Sequence, residues 1–198
     1  MKQALIIFVK KPELGKVKTR LAATVGNEKA LAIYKELLQH TFNITQNIQA
    51  DKFVFYHEQI DVHDIWRAEG FNKKLQLNTN NLGEKMEAAF EEIFTAGYTN
   101  TLIVGSDCLQ LQPQIIETAF KALLENDIVI GPAFDGGYYL LGMNTLHNFI
   151  FKNKSWSTAA VLNETLADIK KHDLDVILLP VLTDVDTQED WLKSKQTL

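Results

Sequence analysis

The chain has 198 residues and a formal net charge of −5, from 20 Lys and Arg against 25 Asp and Glu. That balance argues against a general nucleic-acid binder, whose contact face is basic. Five of the basic residues nevertheless fall between Lys10 and Arg20, a local cluster suited to a small anion rather than a polyanion. The single cysteine, Cys108, excludes an intrachain disulfide and zinc sites built on several thiolates. The apolar run near the start is too short for a signal peptide core or a membrane span. The expectation is a cytoplasmic protein with one domain over residues 1–198.

In chain order, Ala4–Val9 is a continuous, branched apolar run and reads as a buried strand. Lys10–Thr19, with Pro12 and Gly15, reads as a loop. Asn27 reads as the cap of a long helix to about Ile48, with Leu31, Tyr34, Leu37, Leu38, Thr41 and Phe42 at helical spacing. Phe53–His57 is a second strand, Ile60–Glu69 a short helix stopped by Gly70, and Lys74–Asn78 a third strand. Leu82, Met86, Ala89, Phe90 and Ile93 mark an amphipathic helix ending at Gly97. Thr101–Gly105 is a strand, and Pro113 opens a helix to about Glu125. Asp127–Ile130 and Tyr138–Met143 are strands flanking Gly131–Gly137. A helix over Thr158–Lys171, a strand at Val176–Leu179 and a helix over Thr187–Lys195 complete the chain. Strands alternating with helices, most of them fully apolar, indicate an α/β domain with a mainly parallel sheet.

In such sheets ligands collect beyond the carboxyl ends of the strands, so the turns after the strands matter most. After the first strand, Gly15 permits close backbone approach, while Lys18 and Arg20 can neutralise phosphates. The loop is not a Walker A loop: aligned on Gly15-Lys16, the first glycine position holds Lys10 and the Ser/Thr position Val17. A solvated charged loop is the plain alternative. After TLIVG come Ser106 and Asp107, a carboxylate placed to bind Mg²⁺ near phosphates or simply to cap a turn. After VILLP come Asp184 and Asp186. Thr187 and Asp190 read as a helix cap, whereas Asp184 and Asp186 repel one another unless a cation relieves them. Asp135-Gly136-Gly137 is a hairpin turn signal whose glycines would also let the backbone lie against a ligand, with Asp135 binding substrate or acting as a base. Trp156-Ser157-Thr158 precedes a helix that Ser157 would cap; an acceptor-binding role is the alternative.

KKPELGKVKTRL, LGEKMEAAF, GSDCL, GPAFDGGYYLLGM, WST and DVDTQED follow one another from end to end. Together they resemble the radical-SAM/selenodomain-associated, arsenosugar-biosynthesis-type glycosyltransferases of the nucleotide-diphospho-sugar transferase superfamily. The resemblance implies a three-layer α/β/α, Rossmann-like GT-A fold with a mixed, mainly parallel sheet. It implies phosphate contacts from Lys10, Gly15, Lys18 and Arg20, with Ser106 and Asp107 in the nucleotide site and Gly83 near the base. It also implies a Mg²⁺ (or Mn²⁺) cofactor held by Asp107 and Asp186. Two departures stand out: Leu109 replaces the usual Pro after S-D-C, and Lys85 replaces the usual Arg of LGERM.

The reaction expected is transfer from a nucleotide-activated donor, most simply glycosyl transfer from a nucleotide-sugar to a small-molecule acceptor. Lys18, Arg20 and Asp135 are the candidate catalytic residues. Asp135, Gly136, Gly137, Trp156, Ser157 and Thr158 are the candidate substrate contacts. Nucleotidyl transfer with release of pyrophosphate is the alternative, since S-D-C lacks the D-x-D common in glycosyltransferases of this fold. A non-catalytic nucleotide-binding module is a further alternative. A haloacid-dehalogenase-type phosphatase is disfavoured, because its D-x-D-x-[TV] motif must follow the first strand. Neither nucleic acid nor a membrane span is expected.

Overall fold

The computed structural model describes residues 2–196. An interior strand of its sheet is β1 (Gln3–Val9). Successive strand side chains point to opposite faces. Leu5, Ile7 and Val9 enter one core, and Ala4 and Ile6 the other. A strand buried on both faces belongs in the middle of a sheet covered by helices on both sides.

The remaining elements are α1 (Thr19–Val25), α2 (Asn27–Thr45), β2 (Asp51–Tyr56), β3 (Phe71–Leu75), α3 (Leu82–Thr95) and β4 (Asn100–Val104). They continue with α4 (Pro113–Ala122), β5 (Ile128–Pro132), β6 (Tyr138–Met143), α5 (Val161–Lys171), β7 (Val176–Leu178) and α6 (Gln188–Gln196). Seven strands pair in the order β3-β2-β1-β4-β6-β5-β7. β1, β2, β3 and β4 are parallel, as are β5 and β7, and β6 is antiparallel to both β4 and β5. The sheet is thus mixed and mainly parallel. Tyr34 and Leu38 of α2 and Ile116 and Phe120 of α4 cover one face. Met86, Phe90 and Ile93 of α3 and Ile169 of α5 cover the other. A smaller cluster of Leu21, Ile33, Leu37, Leu109 and Val185 ties α1, α2 and the segment before α6 around the turn at residue 107.

Four expectations are corrected. Gly26, not Asn27, is the N-cap of α2, and residues 19–25 ahead of it form a short helix that begins at the last residue of the expected loop. The segment 60–69 makes only a 3-10 turn at Ile65–Arg67. There Asp61 accepts from His63 N and Asp64 from Trp66 N, so aspartates compete with the helix for its backbone donors. The third strand begins at Phe71, before the expected Lys74, because Phe71 pairs with Lys52 and packs its ring on Phe42 and Trp66. The helix expected from Thr158 begins at Val161, and its N-cap is Ala160. Ser157 therefore caps nothing; it sits in left-handed backbone at φ 63°.

Candidate active site

The carboxyl ends of β1, β2, β3 and β4 and the amino end of β6 open onto one rim, which holds a cleft of about 600 Å³. Its floor is built around Lys18. This residue caps α1 in left-handed backbone (φ 46°, ψ 47°), a conformation that is uncommon for a side-chain-bearing residue and gathers at functional sites. The Lys18 side chain is 8% exposed, and its Nζ donates to Asp107 Oδ2 and to Asp186 Oδ1, each at 3.0 Å. Burial works against the ammonium, but the carboxylates of Asp107 and Asp186 outweigh it and raise its pKa. Arg20 reaches Asp186 Oδ2 at 3.3 Å from an exposed position, where an ion pair adds little stability.

The two acidic turns are locked together by backbone: Val185 N donates to Asp107 O at 2.9 Å. Asp190 accepts from Asp186 N, Thr187 N and the Thr187 hydroxyl, and its own N–H donates back to Thr187. This is the cap expected for the last helix, and it also fixes Asp186. Asp184 Oδ1 is sealed from solvent with no hydrogen-bond partner among the described residues. Burial first, then the charges of Asp107, Asp135 and Asp186, push its pKa well above the usual carboxylate range, against the pull of Lys18. Lys18, from the loop after β1, pairs with Asp186 and makes no bond to Asp184, so it answers only half of the Asp184–Asp186 pair.

Next to this floor, Tyr34 of α2 pins the loop: its hydroxyl accepts from Lys10 N at 2.8 Å and donates to Lys10 O at 3.0 Å. Ser106, which is buried, hydrogen-bonds with the same hydroxyl. Farther along the rim, Lys85 from the first turn of α3 is buried in the cleft wall, with Nζ 2.8 Å from His57 Nδ1. Burial, then the charges of Lys85 and Lys10, lower the His57 pKa. Burial, then Lys10, lower that of Lys85. A neutral His57 ring can accept from the Lys85 ammonium at Nδ1, its role there set by the tautomer. Tyr34 and His57 carry no site signal in the sequence, whereas Asp184 is marked only through its pairing with Asp186 and Lys85 only as the residue in place of the usual Arg. Lys85 carried a signal, as the charged residue of LGEKM on an otherwise apolar helix face.

The opposite wall is the β5–β6 hairpin and the segment before α5. Asp135, Gly137, Trp156, Ser157 and Thr158 line it, as do Lys10, Lys18, Arg20, Ser106, Asp107 and Asp186 elsewhere in the cleft. Asp135 Oδ1 accepts from Gly137 N at 2.9 Å, closing the hairpin turn. Three expected contacts lie outside the lining. Gly15 takes a left-handed turn (φ 76°) within the outer loop. A Cβ on Gly136 would meet Ala159 O at 2.4 Å, and one on Gly83 would meet Trp156 Nε1 at the same distance. These two glycines admit protein, Gly136 the approach to α5 and Gly83 the indole of Trp156. Cys108 is buried, and burial pushes its thiol pKa up, so it offers no nucleophile.

Among the described residues no group of three or more His, Cys, Asp or Glu is arranged to hold a metal ion. Asp107 and Asp186 still suit one chemically. Both are hard oxygen donors, and both reach the Lys18 ammonium at 3.0 Å. Magnesium is usually held by one or two carboxylates plus substrate phosphates.

Likeness to a solved nucleotide-diphospho-sugar transferase supports an enzyme of the nucleotide-utilising transferase class. Residues 40–158 match the family described as "Uncharacterized protein conserved in bacteria (DUF2064)", and the chain belongs to that family. It is similar to a candidate nucleotide-diphospho-sugar transferase from Desulfovibrio desulfuricans G20, at 33% identity and TM-score 0.86 over 94% of this chain and 84% of that one. Two more distant structures share the fold. CMP:2-keto-3-deoxy-manno-octonic acid synthetase, complexed with CTP, aligns at 12% identity and TM-score 0.62 over 99% of this chain and 100% of that one. Glucosyl-3-phosphoglycerate synthase from Mycobacterium tuberculosis, in complex with Mn²⁺, UDP and its product, aligns at 11% identity and TM-score 0.59 over 99% and 77%. No curated protein matches the chain. No helix among the described residues is long and apolar enough to cross a membrane.

Proposed function

We propose that the chain is a divalent-cation-dependent transferase that carries a glycosyl group from a nucleotide-sugar to a small acceptor. The observation that carries this reading is the clasp at the sheet rim, where one buried lysine from the loop after β1 meets two carboxylates from the turns after β4 and β7. Such a clasp suits a ligand that brings both phosphates and a cation. Asp107 and Asp186 would hold the metal, which when bound supplies positive charge to the leaving diphosphate. Lys18 and Arg20 add cationic donors for phosphate oxygens, fixed in advance by the fold, so that charge developing on the leaving oxygen meets pre-set partners. The acceptor oxygen bonds to the sugar's anomeric carbon as the bond to the diphosphate breaks. Asp135, which lines the cleft on the hairpin, would take the acceptor's proton. Trp156, Ser157 and Thr158 form the wall against which the acceptor lies. The resemblance to arsenosugar-biosynthesis-type glycosyltransferases supports glycosyl transfer.

One observation favours a second reading, nucleotidyl transfer with pyrophosphate as leaving group: Asp107 stands alone in Ser106-Asp107-Cys108, with no second aspartate after β4. The test is a thermal-shift and turnover screen of nucleotide-sugars and nucleoside triphosphates, with and without Mg²⁺ or Mn²⁺. A ligand at 100 times its Kd adds about 2.7 kcal/mol, a rise of roughly 5–10 °C for a domain of this size. Absence of any metal-dependent shift across the panel sinks both readings. Turnover of a nucleotide-sugar supports the first, and pyrophosphate release from a triphosphate the second.

A further inference from the structure

Resting on that reading, we infer that Lys18 makes the acidic turns select a cation–nucleotide complex over the free divalent cation. Lys18 Nζ sits 3.0 Å from both Asp107 Oδ2 and Asp186 Oδ1. Magnesium bonds a carboxylate oxygen at about 2.0–2.1 Å. An ion on either oxygen therefore lies within about 5 Å of the ammonium, the longest distance that these two bond lengths allow. A dication and an ammonium that close repel strongly wherever water does not screen them, and the Lys18 side chain is 8% exposed.

The ammonium is not a casual occupant. Its backbone is anchored as the cap of α1, where Ala22 N donates to Lys18 O at 2.8 Å, and Leu21 beside it is fully buried. Its partner Asp186 is anchored by the Asp190 cap. Lys18 thus sets a built-in cation against the two carboxylates that a metal needs. A nucleotide's phosphates change the balance, because they bring further negative charge into the cleft. Lys18 can then turn its hydrogen bonds to phosphate oxygens and release the carboxylates to the metal. Metal and nucleotide strengthen one another's binding by the same factor, and neither free metal nor metal-free nucleotide is held well.

The test measures Mn²⁺ binding to the full chain by the paramagnetic resonance signal of the free ion, with and without a panel of nucleoside diphosphates. Wild type is expected to gain at least tenfold in Mn²⁺ affinity when a diphosphate is added. Lys18→Met keeps the length and removes the charge; its nucleotide-free Mn²⁺ affinity is expected to rise at least tenfold, and the gain from nucleotide to shrink. Asp107→Asn in the Lys18→Met background should abolish the new binding, which locates the ion. Lys18→Gln, which retains a hydrogen-bond donor, is run in parallel with circular dichroism on every variant, so that loss of fold is not mistaken for loss of affinity. The inference is overturned if both folded Lys18 variants bind free Mn²⁺ no better than wild type while diphosphates still bind with Mn²⁺. The functional reading fails separately, and selection with it, if no diphosphate alters Mn²⁺ affinity in any variant.

Discussion

Gly83→Ala decides whether the glycine in the first turn of α3 serves a ligand or Trp156. A Cβ at this position lies 2.4 Å from Trp156 Nε1 and 2.5 Å from Cε2. The indole is a rigid ring, set edge-to-face on Tyr138 at 6.4 Å, so it cannot fold away as a flexible chain end would. Forcing an extra methyl into such a contact costs about 1–3 kcal/mol. Alanine regains about 0.5–1 kcal/mol over glycine within a helix. The expected net loss in wild type is therefore up to about 2.5 kcal/mol. In a Trp156→Ala background the clash is gone and only the helix gain remains, so the sign reverses. The assay is urea and thermal unfolding of the four proteins of the double-mutant cycle, where 1 kcal/mol moves Tm by roughly 2–4 °C. If Gly83→Ala costs the same in both backgrounds, within about 0.5 kcal/mol, Trp156 is not what the glycine accommodates. Nucleotide affinity separates the rival explanation, since a direct ligand contact at Gly83 would weaken binding in both backgrounds.

Asp190→Ala removes the cap that holds Thr187 and Asp186. It should cost about 0.5–2 kcal/mol in urea unfolding and weaken metal-dependent nucleotide binding, and an unchanged midpoint would contradict the capping role. Burial is the leading cause that raises the pKa of each of the five tyrosines, with Tyr98 pushed up to about 12. A raised phenol pKa lends stability that is complete below the unfolded value of about 10 and is lost as pH climbs through the folded value. Tyrosinate absorbance at 295 nm should therefore appear only above that value, together with loss of the far-ultraviolet dichroism; a midpoint near 10 in a folded protein would refute this. The lowered His57 pKa has the opposite sign: its contribution is present above about pH 6.5 and is lost as pH falls through the folded value. Lys85→Met should raise the His57 midpoint seen by NMR, and no movement would rule out the Lys85 charge as a cause.

Much of the architecture is written in local pattern. The apolar run Ala4–Val9, the helical spacing in α2 and α3, the Asp135-Gly136 hairpin and the Thr187–Asp190 cap each depend on residues a few positions apart, and each forms where its signal lies. Local pattern misled where side chains competed with backbone, as Asp61 and Asp64 do over 60–69, and where a ring contact set the strand start at Phe71. The site was legible as three separate chemical turns and not as an arrangement. Lys18 meets Asp107 across 89 residues and Asp186 across 168, and no periodicity encodes a pairing at that range. Strand order decides it, by pairing β1 and β4 in parallel so that their carboxyl ends lie side by side. The same packing sets Gly83 against Trp156 and Lys85 against His57, so the chain's chemistry is listed along its length, but which groups face each other is decided only when the sheet closes.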